Sequence, residues 1–238
     1  MMRLWAVASR EYASFFRTPL GWVVIALFLA LSGVFFSSRV LQPGEPATLR
    51  PFFNIWWGLL LVVAPAISMR LFSDELRTGT IEPLMTAPLS EATVVAGKYL
   101  AAVMFLVTML APSLTYVAVL SSLAPIDPGP VVAGYLGIVL LGMLYLAVGT
   151  LASALTSSQT LAFLGTLFAF IILDLATAVA ASAMPRPIPE ILFAISPNVR
   201  IADFAKGVID TGNIVYFLAS SFWFLAVAAV VLQSRRWR

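Results

Sequence analysis

Apolar residues in this chain neither alternate with the period of a strand nor thin to the one-sided stripe of a surface helix. They come in long unbroken runs. Six stand out: Leu20–Ser38, Phe52–Leu71, Thr93–Leu123, Val131–Leu155, Leu161–Met184 and Ile214–Leu232. About 20 apolar residues in a helix cross a hydrocarbon core of about 30 Å. Each run has roughly that length and almost no polar face. A helical bundle in water would need such faces, so the runs predict six transmembrane helices and an all-α integral membrane protein. Pro, Gly and charged residues punctuate the connections, as expected of turns at a membrane surface.

Composition agrees and narrows the chemistry. Of 238 residues, 61% are hydrophobic and 11% charged, against about 25% charged in a soluble domain. There is no His and no Cys. That excludes a Cys/His zinc site, a His-based triad and any disulfide framework. A pI near 9.5 can point to nucleic acid, but here the basic residues flank the spans, so the lipid bilayer is the expected partner and nucleic acid is not. With the N-terminus inside, the inner segments hold nine cations: Arg3, Arg10, Arg17, Arg70, Arg77, Lys98, Arg235, Arg236 and Arg238. The outer segments hold five: Arg39, Arg50, Arg186, Arg200 and Lys206. The bias predicts both termini on the cytoplasmic side of a bacterial inner membrane.

The first 19 residues have a pattern of their own. Arg3, Arg10 and Arg17 recur every seven residues, so on a helix they share one side, with Trp5, Tyr12, Phe15 and Phe16 opposite. A cationic face against an aromatic one predicts a helix lying in the headgroup region. Thr18-Pro19-Leu20-Gly21 then turns the chain into the first span. A basic start before an apolar run is also how a signal peptide begins, and Ala30-Leu31-Ser32-Gly33 loosely resembles a cleavage site. The patterned segment ahead of the run favours a retained interfacial helix.

The outer connections are Arg39–Pro51, the Pro/Gly turn Ala124–Pro130 and the long Pro185–Asn213. The last predicts two short amphipathic helices, Pro189–Ile195 and Val199–Ile209, separated by Pro197 and Asn198. They either cap an outward opening or merely decorate the surface. Inside, the most polar stretch of the chain runs from Arg70 to Lys98. Thr80 can N-cap a short helix with Ile81, Glu82 and Pro83 in its first turn, where Pro is tolerated and an acid suits the positive helix end. Gly79 frees the backbone before that cap, Pro88 ends the helix and Ser90 caps the next. The span would continue past the membrane, turn, form a crosswise helix and return. Such a knob fits a partner's groove; a plain solvated loop is the alternative.

The string S-D-E-L-R-T-G-T-I-E-P-L-M-T-A-P-L-S, with G-K-Y-L-A after it, resembles the signature of ABC-2 type transporter permeases. So does G-T-L-A-S-A-L-T-S-S-Q between spans four and five, along with the six-span order and the long last outer segment. The ending S-P-N-V-R-I-A-D-F-A-K-G-V-I-D-T-G-N-I-V-Y-F, then S-R-R-W-R, is similar to the gliding-motility subgroup and its cousins from copper-enzyme-maturation loci. The resemblance implies a type V exporter-like fold and a non-catalytic permease. It would be worked by separate ABC ATPase subunits, two copies in all, with ATP and Mg bound there and no cofactor on this chain. It further implies pairing with a second permease and a partner domain on the outer side. The coupling helix between spans two and three would carry Asp74, Glu75, Arg77, Gly79, Thr80, Glu82, Leu84 and Pro88. The N-terminal helix, with Arg3, Trp5, Arg10, Tyr12, Phe16 and Arg17, would reach the same ATPase. Pro83 departs from the aliphatic residue usual in the family. Independently, no G-x-x-x-x-G-K-[ST] occurs, because Gly97-Lys98 is followed by Tyr99, so the chain carries no phosphate loop of that kind.

Asp174 is the acid deep in a span. A carboxylate at mid-membrane costs about 2.5–3.5 kcal/mol on insertion scales. It either hydrogen-bonds within the bundle, lines a translocation path or sits nearer the outer surface. As the relay of a proton-coupled carrier it would normally come with internal repeats and paired intramembrane charges, which are not visible here. An intramembrane enzyme would need a nucleophile with its base, or clustered ligands. A membrane component that transmits force without moving a solute stays open. The glycines of the fourth run (Gly134, Gly137, Gly142, Gly149) predict close helix contact.

Overall fold

Lipid offers no hydrogen bonds to the backbone, so a run of apolar residues that crosses it must satisfy its own N–H and C=O groups as a helix. The computed structural model describes residues 2–42, 48–80, 90–183, 185 and 187–235, with no strand among them. Helix α1 (Met2–Arg17) leads into the first span, α2 (Pro19–Arg39). The second span is α3 (Arg50–Ser68) continued by α4 (Arg70–Thr78). The third is α5 (Glu91–Leu110), a 3-10 turn at Ala111–Ser113, and α6 (Leu114–Leu123). The fourth is α7 (Pro128–Leu155) and the fifth α8 (Gln159–Ala183). Short helices α9 (Ile188–Ile195) and α10 (Pro197–Ala205) precede the sixth span, α11 (Thr211–Arg235). Six segments are thus long and apolar enough to cross a membrane.

Some boundaries differ from the sequence expectation for local reasons. The third span is not one continuous helix. Pro112 has no N–H to give, and the chain passes it in a tighter turn. The second outer helix does not run to Ile209. It ends at Ala205, and Gly207 then turns the chain with φ of 89°. Pro197, expected as a separator, instead opens α10, where a fixed φ and a missing N–H do no harm. The second span continues helically past Leu71, as expected, but with a break at Met69 that the sequence did not suggest.

The fourth span is the axle of the bundle. It packs against spans two, three, five and six and against α10, and it is the most buried of the spans. Its glycines make this possible, two of them facing the second span, one the third span and one α10. A Cβ would run into the Phe53 ring at Gly134, Ile201 and Phe204 at Gly137, Leu106 at Gly142 and Ser68 at Gly149. Without side chains at these positions, dispersion contacts between helices replace the hydrophobic effect that lipid cannot supply. At the far end an aromatic cluster joins spans one to four. Phe52 meets Trp56 at 4.5 Å, Phe36 meets Tyr116 at 5.0 Å, and Trp56 meets Tyr135 edge-on at 5.6 Å.

Gly149→Val should therefore force the second and fourth spans apart and destabilise the protein by about 1–3 kcal/mol. Gly165→Val is the control, since a Cβ there meets open space. Thermal unfolding in detergent should show a lower midpoint for the first variant and little change for the second.

Candidate functional site

The polar residues that could receive a partner lie at the end of the bundle where α4 emerges. Arg70, Asp74 and Arg77 are spaced to fall along one side of that short helix. Asp74 accepts from Arg70 Nε at 3.1 Å, and Arg77 Nη2 stands 3.6 Å away. The Gln159 amide also donates to Asp74, which ties α4 to the start of the fifth span.

Glu75 turns the other way, to Lys98. This lysine is 1% exposed. Its ammonium lies 2.8 Å from Glu75 and 3.3 Å from Glu11 of α1, and 5.2 Å from the centre of the Phe72 ring. Taking an ammonium out of water costs several kcal/mol, and only close anions repay it. Here the anions come from two different helices, so α1, α4 and α5 are held at one charge.

Helix α1 follows α5 in the same direction. A Cβ on Gly97 would strike Val7, Glu11 meets Lys98, and Phe15 stacks on Phe105 with centroids 4.6 Å apart. The Tyr12 and Thr108 hydroxyls are 2.8 Å apart. Tyr12 and Phe16 are thus half-buried against protein, while Trp5, Arg10 and Arg17 are exposed.

The break in the second span has a specific filling. At Met69 the helix steps, and the amides of Phe72 and Ser73 both donate to the Ser153 hydroxyl of the fourth span, at 2.9 and 3.0 Å. That hydroxyl in turn donates to the Met69 carbonyl at 3.1 Å. The first amides of a helix have no acceptor within it. Ser153 acts as the N-cap of α4, supplied from another helix. One turn away, Ser68 sits on Gly149. The end of the fourth span is itself tied down, because Arg235 Nη2 donates to the Leu155 carbonyl at 2.8 Å.

The loop residues expected to meet a partner therefore divide. Asp74 and Glu75 point into the protein and anchor α4. The Arg77 side chain is 66% exposed. Gly79 adopts φ of 74°, the left-handed turn that ends a helix. Thr80 is exposed, its hydroxyl 2.9 Å from that of Thr78. Glu82, Leu84 and Pro88, with the crosswise helix expected around them, lie outside the described residues, as does the Arg3 side chain. Across the gap Ser90 caps α5, accepting from the Thr93 amide at 3.3 Å.

Asp174 is not part of this site. It is partly exposed, stands beside the Asn198 side chain of α10, and lies toward the opposite end of the bundle.

Reading the sequence alone missed Lys98 as more than a flanking charge, and missed Glu11, Gln159 and Ser153 altogether. For Glu11 a signal existed. It lies on the stripe Leu4, Val7, Ala8, Phe15, the buried side of α1, where an acid needs a cation. Ser153 gave none, because a serine in an apolar run normally bonds its own helix.

A family model described as ABC-2 family transporter protein matches residues 41–236. No curated protein matches the chain.

Two outcomes follow from the geometry. Lys98→Met leaves two partly buried carboxylates without their cation and should cost about 3–5 kcal/mol. Adding Glu11→Gln and Glu75→Gln should restore most of the loss in detergent thermal unfolding, and a triple variant as weak as the single one would refute the pairing. Ser153→Ala leaves two amides without their acceptor and should cost about 1–3 kcal/mol. Hydrogen exchange should accelerate at Phe72 and Ser73 and stay unchanged in α8.

Proposed function

The chain belongs to the ABC-2 transporter family and is a permease component of an ABC transporter, and from that premise we propose that residues 70–98 couple it to ATP hydrolysis on separate ABC ATPase subunits. In this reading two permeases pair, like with like or with a related chain, each resting on one ATPase that holds ATP and Mg. Both termini and the polar end lie in the cytoplasm of a bacterium, and the spans cross its inner membrane. The subgroup is that of gliding-motility and copper-enzyme-maturation permeases, with an outer-side partner domain. The cycle either exports a solute or performs mechanical work.

The observation that carries the proposal is the division of labour in the loop's root. Asp74 and Glu75 are consumed in holding α4 to the fifth span, the third span and α1. Arg77, Gly79 and Thr80 lie exposed beyond them, with only contacts inside the same segment, Arg77 to Asp74 and Thr80 to Thr78. A push on that tip would not bend a loose loop. It would arrive at a helix bonded to three others. The exposed Arg10 and Arg17 of α1 offer a second cationic contact on the same body. When ATP draws the ATPases together, α4, α1 and the start of α5 would move as a unit. The step at Met69 would take up the change of angle with the rest of the second span. This is a two-state element biased by nucleotide.

Glu82 is the residue of this loop best placed by the sequence to face the partner. Glu82→Lys should reduce co-purification of the ATPase by about tenfold or more, as loss of a close interfacial charge pair does, with the permease's own melting midpoint unchanged. An unaltered yield of ATPase would count against the coupling role.

A further inference from the structure

Spans five and six each pack on span four but hardly on one another. At the far end the space between them is a half-open cavity of about 400 Å³. Its walls are apolar, with Leu144, Phe170, Leu173 and Phe224 inside and the exposed Trp223 and Ile195 at the mouth.

Polar atoms without partners gather beside it. Of the seven buried side-chain polar atoms that find no hydrogen bond among the described residues, four belong to residues next to its lining rather than in it: Tyr145 Oη, whose ring packs on Phe170, Ser196 Oγ and Asn198 Oδ1, on either side of Pro197, and Arg200 Nε, whose guanidinium lies over Tyr216. Native proteins leave few such groups unmet. The charges there are also unmatched. Arg200 lies over the Tyr216 ring at 4.2 Å, and its terminal nitrogens go to Asn213 Oδ1 and the Ala194 carbonyl, both at 3.0 Å. Asp174 stands beside the Asn198 side chain. Among the described residues no ion pair forms on either Arg200 or Asp174. A guanidinium and a carboxylate, each without a counter-charge among the described residues, therefore stand next to residues that line an apolar slot, Arg200 over Tyr216 and Asp174 beside Leu173 in sequence.

We propose that this cavity binds one acyl chain of a glycerophospholipid whose headgroup carries both a phosphate and a primary ammonium, the phosphate meeting Arg200 and the ammonium meeting Asp174. The slot suits a chain because its walls are hydrocarbon and its volume lies at the small end of ligand pockets, about 300–1,000 Å³. The headgroup choice follows from charge. A purely anionic lipid would satisfy Arg200 and repel Asp174. A choline headgroup has no N–H to give the carboxylate. A primary ammonium three bonds from a phosphate oxygen satisfies both.

The test uses the full chain, purified in detergent, stripped of lipid and then offered phosphatidylethanolamine, phosphatidylglycerol or phosphatidylcholine. Native mass spectrometry should show one phosphatidylethanolamine retained per chain, about tenfold more than either other lipid. Ala219→Trp, which fills the slot, should abolish that retention. Val215→Trp, on the same helix but outside the lining, should not. Arg200→Gln should lower retention, and Asp174→Asn should erase the preference over phosphatidylglycerol. Equal retention of the three lipids, or full retention in Ala219→Trp, overturns the proposal. The chain has no cysteine, so Ser220→Cys places a lone thiol in the wall. Efficient disulfide cross-linking of two Ser220→Cys chains in membranes would mean that a second copy fills the slot, and would equally overturn it.

Discussion

A cation driven out of water at the edge of a membrane must have anions brought to it, and around Lys98 that requirement organises one end of the protein. The nearest carboxylates are remote in sequence, Glu11 far before it and Glu75 across the loop. To deliver them, α1 must lie along the third span, and the second span must stay helical past its apolar run. Phe72 and Glu75 are three residues apart on that extension, so one face presents both the ring and the carboxylate. In a low-dielectric setting the attraction is strong and short-ranged. The three helices are bound more tightly to one another than a solvated loop could be.

Stiffness at the root brings out the contrast with the step at Met69. A break in a spanning helix normally exposes backbone groups that lipid cannot satisfy. Here the fourth span supplies a hydroxyl that takes two amides and gives one hydrogen bond back. The joint is thus tolerated without being loose, and its stability depends on how closely the fourth span approaches. Gly149 sets that approach, because Ser68 occupies the room its side chain would need. The small residues of the axle and the bonding at the joint are one arrangement seen at two places.

Much of this was legible in the sequence and some was not, for physical reasons. The spans were legible because the requirement that lipid imposes is local. About 20 apolar residues must follow one another, and no tertiary contact can relieve that. The turn at Gly79 and the cap at Ser90 were legible because caps and left-handed turns select residue types locally. The contacts of Lys98, Gln159 and Ser153 were not, because each joins segments far apart in the chain and nothing near those residues marks the partner. The family signature singled out this loop but said nothing of the division within it. Acidic residues that look like a docking face by composition, Asp74 and Glu75, turn inward. The interruption at Pro112 went unread although the proline marks it; the step at Met69 has no such marker, since Pro65 lies a turn earlier and its own carbonyl still accepts the Met69 amide at 2.9 Å.

The fourth span also joins the two ends. Ser153 and Gly149 hold the joint of the second span. Farther along the same helix Tyr145 packs on Phe170 beside the cavity, with centroids 4.1 Å apart. Beyond that, Gly137 carries Ile201 and Phe204 of α10. A helix this long and this buried does not bend readily between those points, because close-packed neighbours resist local deformation. A change of angle at Met69 that dislodged Ser153 would therefore displace α7 as a body, and α10 with it, without a chain of hydrogen bonds through the membrane. Coupling of that kind needs only a rigid element shared by two sites and two packings for it to choose between. The glycines that let the second span, the third span and α10 approach α7 would also let it move between such packings, since side chains that would lock one of them are missing there.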